Sequence, residues 1–412
     1  MQAENIKILS FGCRLNALEA EKIQNMLRPY LGAGIIVNTC AVTAEAERQS
    51  GQAVRKVARE NPEVPIFVTG CAATRNPELF ANIKNVFVVH NAQKMDLDAY
   101  LGRLNAEIIK PQQTMAEIKT KDNNNKLSKQ FIQIQNGCNH KCAYCITRAL
   151  RGTSVSFDYI EILKDVQNAV CNGFHEIVLT GIDIASYVKQ ENNKTYLISD
   201  LCKRLLDDVP GIQRLRLSSV DPAVPDIDNV IDLILRDERM MPHLHFSMQS
   251  GSDAILRAMG RRHSAQRVRD LVQRGGGKIT FSWDIICGFP GETDELFRET
   301  MDLVHEVKPI KIHAFPFSPR PGTPAADMSG QINRAISKER VRKITELASK
   351  NRTEFMQAQI GKTVQVLVEE NNVARCPHDI SVKIDGRTLP ERTICNVQLT
   401  DVQDDCFIGK NN

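Results

Sequence analysis

The sequence predicts an α/β protein in three parts: an N-terminal parallel α/β domain at residues 1–110, a central partial (β/α)6 barrel at 129–355, and a small antiparallel β-barrel at 356–412. Three observations predict it. Short apolar strand runs alternate with helical stretches over the first hundred residues, six further strand runs separated mostly by helical segments follow residue 128, and period-two alternation sets in after Gly361. Between the first two parts, at 111–128, the pattern gives way to polar residues such as Asn123, Asn124 and Asn125, which read as a linker.

In the first part, residues 7–11 lead into Gly12 and Cys13, residues 35–37 into Asn38, Thr39 and Cys40, and residues 66–68 into Thr69, Gly70 and Cys71. Residues 18–27 and 44–59 between them have helical periodicity and composition. Strand-helix alternation implies a parallel sheet, whose strand carboxyl ends open along one edge where ligands bind. Cys13, Cys40 and Cys71, 27 and 31 positions apart, each follow a strand and are therefore able to meet in space. Their alternative is three separate buried thiols, since free cysteine is among the most buried residues.

In the second part the strand runs are 131–134, 176–179, 214–217, 243–248, 280–286 and 310–317. A helix at 159–170 with Ile160, Leu163, Val166 and Val170 on one face stops at Asn172 and Gly173. Polar residues cluster after the strands, at Thr180, Gly181 and Asp183, at Ser218 and Ser219, at Gln249, and at Gly288, where barrel folds carry function. After the first strand stand Cys138, Cys142 and Cys145, spaced C-x3-C-x2-C. Structural zinc takes four protein ligands and the common iron-sulfur cluster four cysteines, so three thiolates leave one metal position open for chemistry. A zinc knuckle completed by His140 or a distant ligand is the alternative. Cys171, Cys202, Cys287 and Trp283 read as core residues, and Cys376, His378, Cys395 and Cys406 as a loosely spaced zinc alternative in the tail.

The 412 residues are 42% hydrophobic and 25% charged, ordinary for globular protein, and no run reaches about 18 uninterrupted apolar residues, which excludes a membrane span of that kind. The first eleven residues, with Glu4 and Lys7, lack a signal-peptide pattern, so the expected compartment is the cytoplasm. Twelve cysteines in a reducing compartment point to metal ligands or redox groups before disulfides. The net charge of +4 neither requires nor excludes nucleic acid. A helix at 336–352 lies in a segment, 334–352, with seven Lys or Arg against two Glu, equally compatible with a solvated face and an RNA-facing one. Residues 364–368, 380–384 and 393–399 form the tail strands.

Together the cysteine loop and the strings Gly12-Cys-Arg-Leu-Asn16, Asn38-Thr-Cys40, Thr69-Gly-Cys71, Leu215-Arg-Leu-Ser-Ser219, Met248-Gln-Ser-Gly-Ser-Asp253, Asp284 through Gly288-Phe-Pro-Gly-Glu-Thr293 and Phe317-Ser-Pro-Arg-Pro-Gly-Thr-Pro324 resemble the radical S-adenosylmethionine (SAM) enzymes, specifically their methylthiotransferases. The resemblance runs from Phe11 to the C-terminus and implies a radical-SAM barrel with an RNA-binding TRAM-like tail. Gly12-Cys-Arg-Leu-Asn16 followed by Glu19 is most similar to the branch acting on threonylcarbamoyladenosine in tRNA. The resemblance thus implies addition of a methylthio group to carbon 2 of the adenosine next to the anticodon, at position 37. It implies two 4Fe-4S clusters, on Cys138, Cys142 and Cys145 and on Cys13, Cys40 and Cys71, together with SAM, an electron donor such as flavodoxin or ferredoxin, and a sulfur source. Tyr144, Thr180, Gly181 and Asp183 would contact SAM, and Ser219, Gln249 and Gly288 would line the nucleoside. The same chemistry on isopentenyladenosine tRNA or a ribosomal protein is the rival within the family, and a non-catalytic iron-sulfur or zinc RNA-binding protein the rival outside it. The loop departs from the family pattern: Cys145-Ile-Thr-Arg-Ala-Leu-Arg-Gly152 stands where members often read Cys-Ile-Ile-Pro-Tyr-Gly-Arg-Gly, and Val155 replaces a second arginine, so no substrate contact is carried over to it.

Overall fold

Runs that are apolar at nearly every position form strands buried on both faces, and these organise the chain. The computed structural model describes residues 6–104, 127–386 and 388–411; the linker expected at 111–128 lies, up to residue 126, outside the described residues. The chain divides into two compact units, the first of which joins the N-terminal residues to the stretches 137–153 and 320–323. Its sheet is β1 (Ile6–Ser10), β2 (Gly34–Thr39), β3 (Ile66–Gly70) and β4 (Val86–Val88), paired in that order and parallel throughout. β2 and β3 are wholly buried. Helix Ala44–Glu60 starts where Thr43 accepts a hydrogen bond from the Ala46 N–H, with Glu45 and Glu47 favourably placed in its first turn.

The second unit opens with β5 (Gln130–Gln133), β6 (Gln135–Asn136), β7 (Val155–Ser156), β8 (Glu176–Thr180), β9 (Val188–Glu191), β10 (Lys194–Leu197), β11 (Arg214–Leu217), β12 (Ser219–Val220), β13 (His243–Gln249), β14 (Thr280–Cys287) and β15 (Lys311–Pro316). β11, β8 and β5 form one parallel sheet and β12, β13, β14 and β15 another. Only Ser218 separates β11 from β12, so the chain passes directly between sheets and the expected six-strand partial barrel results. Its outer face carries the largest apolar core, including Leu215, Phe246, Phe281 and Trp283. Helix Tyr159–Cys171 buries Tyr159, Ile162, Val166 and Ala169, whereas Ile160 is 71% exposed. The apolar face is therefore the 159, 162, 166, 169 stripe, and Cys171 on the other side is exposed rather than core. Cys202, Cys287 and Trp283 are fully buried.

β16 (Thr363–Val368), β17 (Val373–Arg375), β18 (Ser381–Asp385), β19 (Ile394–Gln403) and β20 (Cys406–Asn411) close a barrel in the order β16-β17-β18-β20-β19. Its pairs are antiparallel except β18 with β20, which is parallel. Cys376 and Cys395 belong to its apolar core, and His378 Nδ1 lies 3.1 Å from the Pro242 carbonyl. Buried charge fastens this barrel to the lower end of the larger one. Glu176 meets Arg214 Nε at 2.7 Å and Arg216 Nε at 3.1 Å, while Arg214 donates to the carbonyls of Arg375 and Cys376 and Arg216 to that of Pro377. Burial pushes the Glu176 carboxyl up, but Arg216, Arg214 and Lys129 outweigh it and hold the group at about 2.

Candidate functional site

In the first unit, parallel β1, β2 and β3 deliver Cys13, Cys40 and Cys71 to the same sheet edge. Cys13 caps helix Arg14–Leu27, Cys40 follows β2, and Cys71 begins helix Cys71–Arg75. Gly12, at φ +87°, lets the chain turn here: a Cβ on it would stand 2.5 Å from Cys40 Sγ. The three thiols share one neighbourhood. Burial first, then the nearby Cys71 and Cys13, pushes the Cys40 thiol up, against the Val42 N–H, which donates to its sulfur at 3.5 Å, and Arg151. Cys40 and Cys71 are buried and Cys13 is exposed.

A buried charge cluster adjoins these thiols. Glu19 is fully buried and accepts Lys94 Nζ at 2.6 Å and Arg151 Nη1 at 2.8 Å; Arg151 Nη2 also donates to Asn16 Oδ1 at 2.5 Å. Burial opposes the charge on Glu19, yet Arg151 and Lys94 keep its carboxyl below the ordinary range. Asn91 Nδ2 reaches Cys71 Sγ at 3.8 Å and the Leu150 carbonyl at 3.0 Å. Sequence reading did not assign Glu19, Lys94 or Asn91 a role. Arg151, in the loop that departs from the family pattern, is here a tether to Glu19.

Residues 137–153, holding Cys138, Cys142 and Cys145, belong to the same unit. The loop is closed at its base by the Cys138 N–H donating to the Gly152 carbonyl at 3.2 Å, and Gly137 has no room for a Cβ, which would lie 2.0 Å from the Thr153 carbonyl oxygen. Backbone N–H groups of His140 and Thr147 donate to Cys138 Sγ and Cys145 Sγ, both at 3.4 Å. Ile146 and Leu150 pack on Ala41, Cys71 and Ala72, so the loop rests on the helix that begins with Cys71. Cys138, Cys142 and Tyr144 are half-buried and Cys145 is exposed. Three thiols at one sheet edge, three in a tight loop, and N–H donors aimed at sulfur are a donor chemistry that fits iron-sulfur ligation with an open position.

In the second unit, Thr180 ends β8, and a Cβ on Gly181 would collide with the Gln135 carbonyl oxygen at 2.7 Å. Gln135 Oε1 accepts the N–H groups of Ile182 and Asp183, at 3.0 and 2.8 Å, and Ser186 Oγ donates to Asp183 Oδ2 at 2.7 Å. Gln135 was missed in the sequence, its only signal being its place just before the cysteine loop. Ser219 is exposed and level with His245 in the sheet, whereas Gln249, at φ +70°, ends β13 beyond a register shift. Gly288 follows β14 at φ +77° and donates to Glu292 Oε2 at 2.6 Å; buried Arg340 grips that same carboxylate at 2.8 Å. Arg340 therefore does not belong to a basic stripe facing outward, and Arg342 is paired with Glu339 and Glu346.

Residues 132–304 match the model of the Radical SAM superfamily, and residues 5–90 that of Uncharacterized protein family UPF0004. The chain is similar to the threonylcarbamoyladenosine tRNA methylthiotransferase MtaB of Rickettsia prowazekii, 39% identical over 92% of this chain and 91% of the relative. The protein of the same name from Chlamydia pneumoniae is 34% identical over 98% of this chain and 97% of its own length. Among solved structures, the radical S-adenosylmethionine methyltransferase TsrM from Kitasatospora setae, with cobalamin and a 4Fe-4S cluster bound, superposes at a TM-score of 0.56 over 78% of this chain and 74% of that one. At 14% identity that likeness shows the fold alone.

Proposed function

Since this chain belongs to the threonylcarbamoyladenosine tRNA methylthiotransferase family, we propose that it transfers a methylthio group to carbon 2 of N6-threonylcarbamoyladenosine at position 37, beside the tRNA anticodon. It is a radical-SAM enzyme using SAM and two 4Fe-4S clusters. The observation carrying the site assignment is the pair of three-cysteine sets. Cys138, Cys142 and Cys145 hold one cluster, and Cys13, Cys40 and Cys71 the other. When bound, the clusters with SAM supply electron transfer, radical hydrogen abstraction and the sulfur to be inserted.

The chain's own residues orient and shield. Arg151 and Lys94 set positive charge beside Cys71, Arg151 also beside Cys13, while Glu19 keeps both cations fixed. Gln135 holds the backbone at Ile182 and Asp183, and Ser186 fixes the Asp183 carboxylate, which would receive the ammonium group of SAM. Tyr144, Thr180 and Gly181 are the further candidates for SAM contact, and Ser219, Gln249 and Gly288 would line the nucleoside. Residues 1–110, 129–355 and 356–412 act as methylthiotransferase, radical-SAM and TRAM-like RNA-binding domains. An electron donor such as flavodoxin or ferredoxin and a separate sulfur source serve the enzyme in the cytoplasm; among the described residues no helix is long and apolar enough to cross a membrane. Nucleoside mass spectrometry of tRNA from a strain lacking the chain tests this reading: 2-methylthio-threonylcarbamoyladenosine disappears and the threonylcarbamoyl precursor accumulates. Unchanged levels overturn it.

A further inference from the structure

The inner face of β13, β14 and β15 carries polar groups that neither the cysteine sets nor the SAM contacts use. Along these strands Leu244, Phe246, Phe281, Trp283, Ile285 and Ile312 enter the large core, so the residues alternating with them turn to the opposite face. There His245 Nε2 lies 3.2 Å from Asp284 Oδ2, and His245 Nδ1 is 2.8 Å from Ser282 Oγ. Asp284 is level with His313 on β15, whose ring centroid is 5.6 Å from that of His245. Lys311 and Phe315 flank His313 on the same face, and all three are exposed. The His245 and Asp284 side chains keep 18% and 30% of their surface open.

Partial burial of the ring of His313, exposed as the residue is, comes first, then Lys311 and His245, in holding it below the ordinary histidine range, against Asp284. The His313 imidazole is therefore neutral near pH 7 and offers an N–H, while Lys311 carries the positive charge. A lumen lined in this way suits a substituent with an anionic end, hydroxyl and urea groups, and it mismatches a purely hydrocarbon one, whose burial would strand these polar groups. Two residues along a strand span about 6.6 Å, so a base stacked on Phe315 would extend its substituent past His313 toward Lys311.

We propose that Lys311, His313 and the His245–Asp284 pair form the recognition site for the threonylcarbamoyl group on N6, with Phe315 stacking on the adenine. The carboxylate meets Lys311 and the His313 N–H, and Asp284 accepts from the hydroxyl or a urea N–H. This rests on the function proposed above and names what selects its substrate.

The test is anaerobic binding of full-length, cluster-loaded chain, without reductant, to anticodon stem-loop RNAs carrying adenosine, isopentenyladenosine or threonylcarbamoyladenosine at position 37. The unsubstituted chain should prefer the threonylcarbamoyl RNA over the adenosine RNA by roughly ten- to a hundredfold, the range of a charge-assisted contact. Lys311→Met and His313→Ala should each reduce that preference at least fivefold while leaving adenosine RNA binding within twofold, and Lys311→Arg should retain it. Because these side chains are exposed, circular dichroism should report unchanged folding. A preference surviving intact in Lys311→Met and His313→Ala, or absent from the unsubstituted chain, overturns the proposal. Loss of 2-methylthio-threonylcarbamoyladenosine in the deletion strain is a separate result, so the recognition site is able to fail while the activity stands.

Discussion

Replacing Glu19 by glutamine should destabilise the first unit more than any other single isosteric change at its charge cluster. Glu19 is fully buried, and the side chains of its partners Lys94 and Arg151 are 4% and 2% exposed. The amide removes the anion and leaves two buried cations facing each other, a situation that costs about 3–5 kcal/mol. At about 2–4 °C per kcal/mol for a unit of this size class, the melting transition should fall by roughly 10 °C. Lys94→Met is the informative control, because it leaves the Glu19–Arg151 pair whole and should cost much less. Calorimetry of the metal-free chain, kept anaerobic with a reductant, separates this from cluster loading. The folded Glu19 carboxyl is more acidic than the unfolded one, so its contribution is complete above about pH 4.5 and is lost as pH falls. The gap between the two proteins should narrow in acid. A Glu19→Gln transition within about 2 °C of the parent at pH 7, or one no lower than that of Lys94→Met, would refute the reasoning.

Acid should also loosen the junction beneath the larger barrel. Burial holds His243 down at about 3 and His378 at about 4, so the unfolded chain takes up protons below about pH 6.5 that the folded one refuses, and stability falls from there. Glu176, held at about 2, adds a further loss below about pH 4.5; a urea midpoint flat from pH 6.5 to 4.5 would contradict this. Gly288→Ala places a Cβ 1.9 Å from Ser337 Oγ at φ +77°, and should lose about 2–4 kcal/mol, partly recovered by adding Ser337→Gly; an unshifted denaturation midpoint would count against the packing. Cys40→Ala and Cys142→Ala should each lower iron from about eight to about four per chain, with SAM cleavage kept in the first and lost in the second. Eight irons in either variant would contradict the ligand sets.

What could be read directly was whatever depends on local pattern. β2 and β3 announce themselves as uninterrupted apolar runs, and the C-x3-C-x2-C spacing needs no tertiary information. Val86–Val88 escaped notice because three residues are too short to show a period, as did Val373–Arg375 and Cys406–Asn411 among polar neighbours. Ile160 misled because the helical stripe was phased from the wrong residue, beside buried Tyr159. The ties around the cysteines were hidden for another reason: Arg151 meets Glu19 across 132 residues and Gln135 meets Asp183 across 48. Charge runs mislead likewise, since Arg340 within a basic segment spends its charge on Glu292.

The first unit is stitched from distant stretches of chain, and this sets a timetable. Glu47 is paired with nearby Arg75 at 3.1 Å and with Arg320 at 2.6 Å, the latter 273 residues downstream. Translation at 5–20 residues per second puts roughly 15–55 s between their emergence from the ribosome. For most of that interval, once residue 71 has emerged, the nascent chain displays Cys13, Cys40 and Cys71, first without Arg151 and then without Arg320. A fragment ending near residue 104 would remain in that immature state, with every thiol of the sheet edge present and Glu19 lacking its arginine.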